Sequence, residues 1–119
     1  YRDLKQRYLA WFRAATRCGA NLFAVIANWR VKRQEHWLTL LRARAIENQA
    51  FVIGVNRSGN DPRFSYSGRT AIVNPHGVIV ADAGEDEGVL AATIEAEAAI
   101  AWRRDFPAVR DMQWIDSRE

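Results

Sequence analysis

The sequence has one cysteine, two histidines and no long apolar run, and each scarcity argues against a class of protein. A single cysteine cannot form an intrachain disulfide, which fits a reducing compartment and predicts a cytoplasmic location. His36 and His76 lie far apart, without a cysteine or carboxylate cluster at ligand spacing, so we predict no metal site. No apolar stretch approaches the ~20 residues of a spanning helix, and no secretory signal pattern is present, so we predict no membrane association.

The chain also lacks a strong excess of one charge. It has 17 basic and 14 acidic residues, for a formal net charge of +3. The basic side chains are scattered, with only small pairs at positions 32–33 and 103–104. Because no basic stripe is interleaved with aromatic residues, we interpret the charge as a solvated surface and predict no nucleic-acid partner.

What is present is a regular alternation of helical and strand patterns, long enough for one domain at most. Helices are predicted over residues 4–17, about 33–49 and 95–104, and strands over residues 22–27, 51–55, 68–73, 78–83 and 89–94. Residues 58–67 are predicted to be a loop, 74–77 a hairpin turn and 108–119 a C-terminal arm. We summarise this order as α-β-α-β-β-β-β-α, which indicates an α/β assembly in which helices cover a sheet.

Polar side chains follow the first two strands where each strand ends. Asn28 and Trp29 follow the first strand, and Asn56 and Arg57 follow the second. The carboxyl ends of buried strands are where α/β proteins usually present functional groups.

These segments together resemble the C-terminal half of the carbon–nitrogen hydrolase (nitrilase) family, in particular its small-amide, omega-amidase-like members. The resemblance covers about residues 7–112 and is strongest at residues 27–29, 33–37, 42–49, 56–57 and 74–77. It implies an αββα four-layer sandwich, of which this chain is a single partial domain spanning residues 1–119. It also implies hydrolysis of short carboxamides through a Glu-Lys-Cys triad and a thioester intermediate, with no cofactor.

The nucleophile is the point at which this chain departs from the family. An ungapped alignment places it at Asp3 and a gapped alternative at Tyr1, and neither residue supplies a thiol. Aspartate lacks the easily ionised sulfur that a thioester requires, and a tyrosine with a pKa of about 10 holds little phenolate at neutral pH. We interpret Cys18, at the end of the first helix, as a small buried packing residue.

We therefore expect no catalytic residue in this chain and no activity of the chain alone, since the resemblance places the glutamate and the lysine in the other half. The start at Tyr1 rather than Met suggests a fragment, a processed product or an incomplete reading frame. The alternative is a non-catalytic, nitrilase-like association module or a degenerate fragment.

The resemblance also supplies candidate substrate-binding residues. Asn28 and Trp29 line the acyl pocket beside the nucleophile, although Trp29 can equally be a packing residue. The family often has proline after this tryptophan, whereas this chain has Arg30. Arg33 and His36, three residues apart, are candidates for contacting a substrate carboxylate, with a solvated helix start as the alternative. The candidate binding residues are Asn28, Trp29, Arg33, His36 and Asn56.

The remaining polar residues are interpreted structurally. Arg44 and Glu47 are spaced to form an ion pair within the helix, which also carries the polar residues Arg42 and Asn48. His76 and the acidic run at residues 85–87 are predicted to be solvent-exposed. The resemblance implies a homo-oligomer paired through the two long helices, so we place Trp11, Phe12, Arg42 and Arg44 near the contact.

Overall fold

The computed structural model describes residues 2–112 of the chain, with side chains from residue 9 onward. Tyr1 and residues 113–119 of the predicted arm lie outside the described residues. The helices are α1 (Arg2–Arg17), α2 (Gln34–Asn48) and α3 (Ala96–Asp105), and a short 3₁₀ turn (Val31–Arg33) precedes α2. The strands are β1 (Leu22–Ala27), β2 (Phe51–Asn56), β3 (Ser58–Asn60), β4 (Ser65–Ser67), β5 (Ala71–Val73) and β6 (Ile79–Asp82).

The main sheet has four strands in the order β1-β2-β5-β6, and β3 and β4 form a separate two-stranded hairpin. β1 and β2 run parallel, from the pair Leu22–Phe51 to the pair Ala27–Asn56, while β5 and β6 are antiparallel to their neighbours. Because parallel strands end on the same side, the polar residues after β1 and β2 meet at one edge of the sheet.

One face of the sheet is covered by helices. Trp37, Leu38 and Leu41 of α2 pack on Val52 and Val73, and the core is completed by Ala45 and Ala71. α2 lies so close to β2 that a Cβ atom at Gly54 would stand 2.5 Å from Cδ1 of Leu41. The α2 helix is therefore positioned by a strand that has room only for glycine at its centre.

The first helix packs on β1 through one aromatic contact and is joined to α2 by one polar contact. The rings of Phe12 and Phe23 lie 4.6 Å apart, and the Thr16 hydroxyl donates a 2.8 Å hydrogen bond to Oδ1 of the buried Asn48. Phe12 is buried within the chain, and its placement near a subunit contact stays a prediction. Trp11 beside it is 64% exposed and remains accessible.

The opposite face of the sheet is apolar and open. Side chains of β1 alternate between half-buried and exposed, and Ile26 is 80% exposed. Leu22, Val55 and Val80 are exposed as well. Within the described residues the fold is thus one helix layer on one sheet, which is half of the predicted four-layer sandwich.

Two predicted segments differ from the structure. Residues 89–94 form no strand, and Val89 is 98% exposed, because no strand of the described part of the chain pairs with this apolar run. Residues 58–67, predicted as a loop, form the β3–β4 hairpin instead. Its turn is closed by Asp61, whose Oδ1 accepts the backbone N–H groups of Arg63 and Phe64 at 2.9 and 2.7 Å.

The end of α2 and the start of β2 are joined to α3. Gln49 adopts a left-handed conformation (φ 45°), and its side-chain amide donates to the Phe106 carbonyl at 2.7 Å. The Arg103 guanidinium donates to the carbonyls of Ala20, Asn48 and Gln49, where the negative end of the α2 dipole favours a cation. Burial lowers the pKa of Arg103 from its ordinary value. The α3 helix is therefore attached at the end of the sheet opposite to the polar edge.

Candidate functional site

Asn56 is the centre of the polar edge. It is the last residue of β2 and only 7% exposed. Its Oδ1 accepts the backbone N–H of Trp29 at 2.7 Å, and its Nδ2 donates to the carbonyls of Trp29 at 3.0 Å and Gly68 at 2.9 Å. Both amide hydrogens of Asn56 are thus used to join the segment after β1 to the segment between β4 and β5.

The backbone around Asn56 is tied equally closely. The Asn56 N–H donates to the Thr70 hydroxyl at 3.1 Å, and the next N–H, of Arg57, donates to the Ala27 carbonyl at 3.2 Å. Gly68 has a φ of 71°, and a Cβ atom there would lie 3.1 Å from the Gly84 carbonyl oxygen. A left-handed backbone and a close approach both favour glycine at this position.

Trp29 stands at this edge, half-buried between the sheet and the start of α2. Its ring centre lies 5.9 Å from that of Trp37, and its indole N–H donates to the Arg33 carbonyl. The Trp37 indole in turn donates to the Arg69 carbonyl at 2.9 Å. Trp29 therefore packs against the core and also forms part of the rim, so this position is compatible with both roles expected for it.

Asn28, Arg33 and His36 lie near the same edge but differ in environment. Asn28 and His36 are exposed, whereas Arg33 is half-buried. α2 begins at Gln34, so Arg33 is its cap residue, with a non-helical φ of −122°. Because Arg33 lies outside α2, the three-residue spacing of Arg33 and His36 does not by itself place their side chains on one helical face.

The β3–β4 hairpin adds residues that the sequence interpretation did not include. The Arg30 guanidinium carbon lies 3.4 Å from the ring centre of Phe64, and that of Arg57 lies 4.7 Å from the ring centre of Tyr66. The Tyr66 hydroxyl donates a 2.8 Å hydrogen bond to Asp61, which lowers the pKa of Asp61 and raises that of Tyr66. The alternation of Phe64 and Tyr66 after Asp-Pro was the signal available in the sequence.

A groove of about 510 Å³ runs beside this edge, between β2 and the acidic turn. Its lining includes Asn56, Arg57, Thr70, Asp86 and Glu87. No group of three or more His, Cys, Asp or Glu side chains suited to a metal ion occurs in the described part of the chain. In that same part, no helix is long and apolar enough to cross a membrane.

Other polar residues lie where structural roles were expected, with one exception. Arg44 and Glu47 form the predicted ion pair, and Arg42 donates to the Gly77 carbonyl at 2.8 Å. His76 is exposed, as predicted, and its ring lies 4.4 Å from that of Trp102. The interpretation of Cys18 as buried was wrong: it is exposed, because α1 ends there and the chain turns away from the core.

Comparison with known proteins agrees with this architecture. A family profile described as carbon-nitrogen hydrolase matches residues 7–104. The 2-oxoglutaramate amidase of Bacillus subtilis is 36% identical over 107 residues, covering 90% of this chain and 41% of that relative. The omega-amidase YafV of Escherichia coli K12 is 43% identical over 96 residues, covering 76% of this chain and 36% of that relative.

Solved structures give the same result. XC1258 from Xanthomonas campestris, a CN-hydrolase superfamily protein, superposes with a TM-score of 0.77 at 41% identity, over 80% of this chain and 36% of that one. Nit3 of Saccharomyces cerevisiae, of the nitrilase superfamily, gives a TM-score of 0.76 at 29% identity, over 87% of this chain and 39% of that one. The chain spans about two fifths of the length of these relatives. It belongs to the carbon–nitrogen hydrolase family.

Proposed function

We propose that this chain is the C-terminal portion of an amidase that hydrolyses short carboxamides. The observation that carries the proposal is the edge organised by Asn56, where the segments following two parallel strands are held together beside a half-buried indole. Similarity to proteins named 2-oxoglutaramate amidase and omega-amidase supports the same reaction type.

In the complete enzyme the chemistry follows from the family's triad. A cysteine thiolate attacks the carboxamide carbon, and the developing oxyanion accepts hydrogen bonds from the lysine and a backbone N–H group. The glutamate transfers the thiol proton to the nitrogen, so ammonia leaves and a thioester remains. Water, deprotonated by the same glutamate, then attacks the thioester and releases the carboxylic acid.

The residues of this chain bind and position the substrate in this scheme. Asn28 is exposed, so its amide is free to pair with the substrate carboxamide, and Trp29 forms an apolar wall. Asn56 acts as a positioning residue, because its amide is engaged with the backbone of Trp29. Arg33 and His36 stay candidates for contact with the far end of the substrate.

The chain alone is proposed to have no amidase activity, because neither Asp3 nor Tyr1 supplies the nucleophilic thiol. Ammonia release from a panel of short amides measures this directly. Removing a nucleophile costs many orders of magnitude in rate. Steady turnover that disappears in Cys18→Ala would overturn both the inactivity and the alignment.

A hybrid enzyme tests the positive half of the proposal. The N-terminal part of the Bacillus subtilis amidase, through its nucleophile motif, is joined to residues 7–119 of this chain and assayed for ammonia release from 2-oxoglutaramate. Trp29→Ala in the hybrid should lower kcat/KM at least tenfold, about 1.4 kcal/mol, with a fall in Tm no larger than that of Trp102→Ala. Trp102→Ala removes a half-buried indole at the other end of the sheet and is the matched control.

A folded hybrid that releases no ammonia would contradict the amidase proposal. Equal kinetic effects of Trp29→Ala and Trp102→Ala would contradict the placement of Trp29 in the pocket.

The second candidate function is association without catalysis, and the open sheet face favours it. Ile26, Val55 and Val80 expose an apolar surface of a kind that normally associates. We also propose pairing of copies through α1 and α2, with the exposed Trp11 at the contact. Sedimentation at micromolar concentration should give a dimer or larger species, whereas a monomer that binds no hydrophobic dye would contradict both contacts.

A further inference from the structure

The hairpin and the two strand ends together hold a pair of arginines in a defined orientation. Phe64 directly precedes β4, and Tyr66 lies within it. Arg30, from the segment after β1, stacks on Phe64, and Arg57, from the end of β2, stacks on Tyr66. We call Arg30 and Arg57 the arginine pair.

The charge of this pair is only partly neutralised. Asp61 is the nearby carboxylate, but its Oδ1 accepts two backbone N–H groups and its Oδ2 accepts the Tyr66 hydroxyl. Its distance to Arg57 is 3.5 Å, which is long for a charged hydrogen bond. Arg30 is exposed and has no carboxylate partner among residues 9–112.

Stacking on Phe64 covers one face of the Arg30 guanidinium and leaves the N–H groups at its edge available to a ligand. A ring beneath the guanidinium plane fixes its orientation, while the N–H groups around its edge point outward. Those N–H groups match the two oxygens of a carboxylate. Arg30 directly follows Trp29, and Arg57 directly follows Asn56, so the arginine pair borders the candidate site. The family often has proline where this chain has Arg30, which makes the group a property of this chain.

We infer that Arg30, oriented on Phe64 and assisted by Arg57, binds a carboxylate of an acidic amide substrate whose carboxamide lies beside Asn28 and Trp29. The identity of the substrate in this inference rests on the proposed amidase function, whereas the carboxylate site itself is testable by binding alone. Arg30, rather than Arg33, is then the residue that selects acidic over neutral amides.

The test titrates the 119-residue chain with two probes of equal length. Glutaramate has one carboxylate and one carboxamide, and glutaramide is the neutral diamide. Backbone nitrogen–proton NMR shifts of residues 28–30 and 64–67 report binding. Glutaramate should bind about tenfold more tightly than glutaramide, as expected for charge-assisted hydrogen bonds to one carboxylate.

Variants assign the effect to Arg30. Arg30→Gln should abolish the preference for glutaramate. Arg63→Gln also removes one positive charge, at an exposed side chain of the hairpin on which Arg30 stacks, and should preserve the preference. If Arg30→Gln shifts the hairpin resonances in the absence of a probe, Arg30→Lys is used in its place. Lysine retains the positive charge but lacks the planar guanidinium fork, so Arg30→Lys should weaken glutaramate binding severalfold.

Equal binding of the two probes would overturn the inference, and so would equal losses in Arg30→Gln and Arg63→Gln, or an unchanged affinity in Arg30→Lys. A hybrid enzyme that fails to release ammonia refutes the amidase proposal and leaves this titration unaffected. If the hybrid releases ammonia but the 119-residue chain shows no Arg30-dependent preference for glutaramate over glutaramide, only the carboxylate site is refuted.

Discussion

Replacing Asn56 by aspartate changes one heavy atom of the side chain, because the amide nitrogen Nδ2 becomes a carboxylate oxygen and a hydrogen-bond donor becomes an acceptor. The Asn56 Nδ2 donates to the carbonyl oxygens of Trp29 and Gly68 at 3.0 and 2.9 Å. In Asn56→Asp a carboxylate oxygen faces these two carbonyls, and both lose their donor. The remaining bond, from the Trp29 N–H to Oδ1, can persist.

The magnitude follows from burial. Each buried acceptor left without a donor costs about 1–3 kcal/mol, so the loss of two donors should lower the free energy of unfolding by about 2–6 kcal/mol. That is a large share of the ~5–15 kcal/mol typical of a domain. The size of the loss reflects the position of Asn56 at 7% exposure, where water cannot replace the lost hydrogen bonds.

The loss should depend on pH with a defined sign. Burial against two carbonyls disfavours the charged carboxylate, so the pKa of Asp at this position should be raised in the folded state. The folded state then binds the proton more tightly than the unfolded state, and the variant is stabilised as pH falls through the raised pKa. Wild-type protein should show no such recovery at this site.

Urea denaturation at several pH values measures both effects, and Asn60→Asp is the matched control because Asn60 is exposed on β3. The control should change the free energy of unfolding by less than about 0.5 kcal/mol. A loss in Asn56→Asp below about 1 kcal/mol, or equal losses in the two variants, would refute the assignment of Asn56 as the residue that joins the edge.

Two further predictions test the packing and the hairpin. Gly54→Ala places a methyl group 2.5 Å from Leu41 and should destabilise the protein by about 1–3 kcal/mol in urea denaturation. Gly88→Ala is the control, because no atom lies within 4 Å of a Cβ atom there, and it should have no comparable effect. Equal losses of stability in the two variants would contradict the close α2–β2 contact. Tyr66→Phe removes the hydroxyl that chiefly lowers the pKa of Asp61, so an NMR titration should show that pKa rising. Because the pKa of Asp61 is lowered in the folded state, its contribution to stability is present above the unfolded pKa and is lost as pH falls through the folded pKa. An unchanged pKa of Asp61 in Tyr66→Phe would show that the hydrogen bond is absent in solution.

Local patterns in the sequence were sufficient to predict the elements whose structure depends on neighbouring residues. The apolar run Leu22–Ala27 forms β1 within the predicted bounds, and the helical spacing of Trp37, Leu38 and Leu41 predicts the buried face of α2. The turn at residues 74–77 is also local, since Asn74 accepts hydrogen bonds from the backbone N–H groups of His76 and Val78. The Arg44–Glu47 pair follows from spacing on one helix.

The remaining features depend on contacts between distant parts of the chain. The run at residues 89–94 has a strand-like composition but no strand beside it in the described structure, and a strand requires a partner for its backbone groups. The hairpin at residues 58–67 forms because Asp61 closes its turn and the arginines Arg30 and Arg57 stack on its aromatic rings.

The main helices and strands, and the edge at which the candidate site lies, were therefore predictable from the amino-acid sequence alone, because they follow from periodicity and residue identity. The family was predicted from the resemblance of these segments to carbon–nitrogen hydrolases. The hydrogen-bond partners of the residues at that edge became known only from the folded chain. Asn56 joins Trp29, 27 residues away, to Gly68, 12 residues away, and this use of its amide depends on the parallel pairing of β1 and β2. Long-range register, which no local pattern encodes, brings the Asn56 amide to the backbone of Trp29 and Gly68.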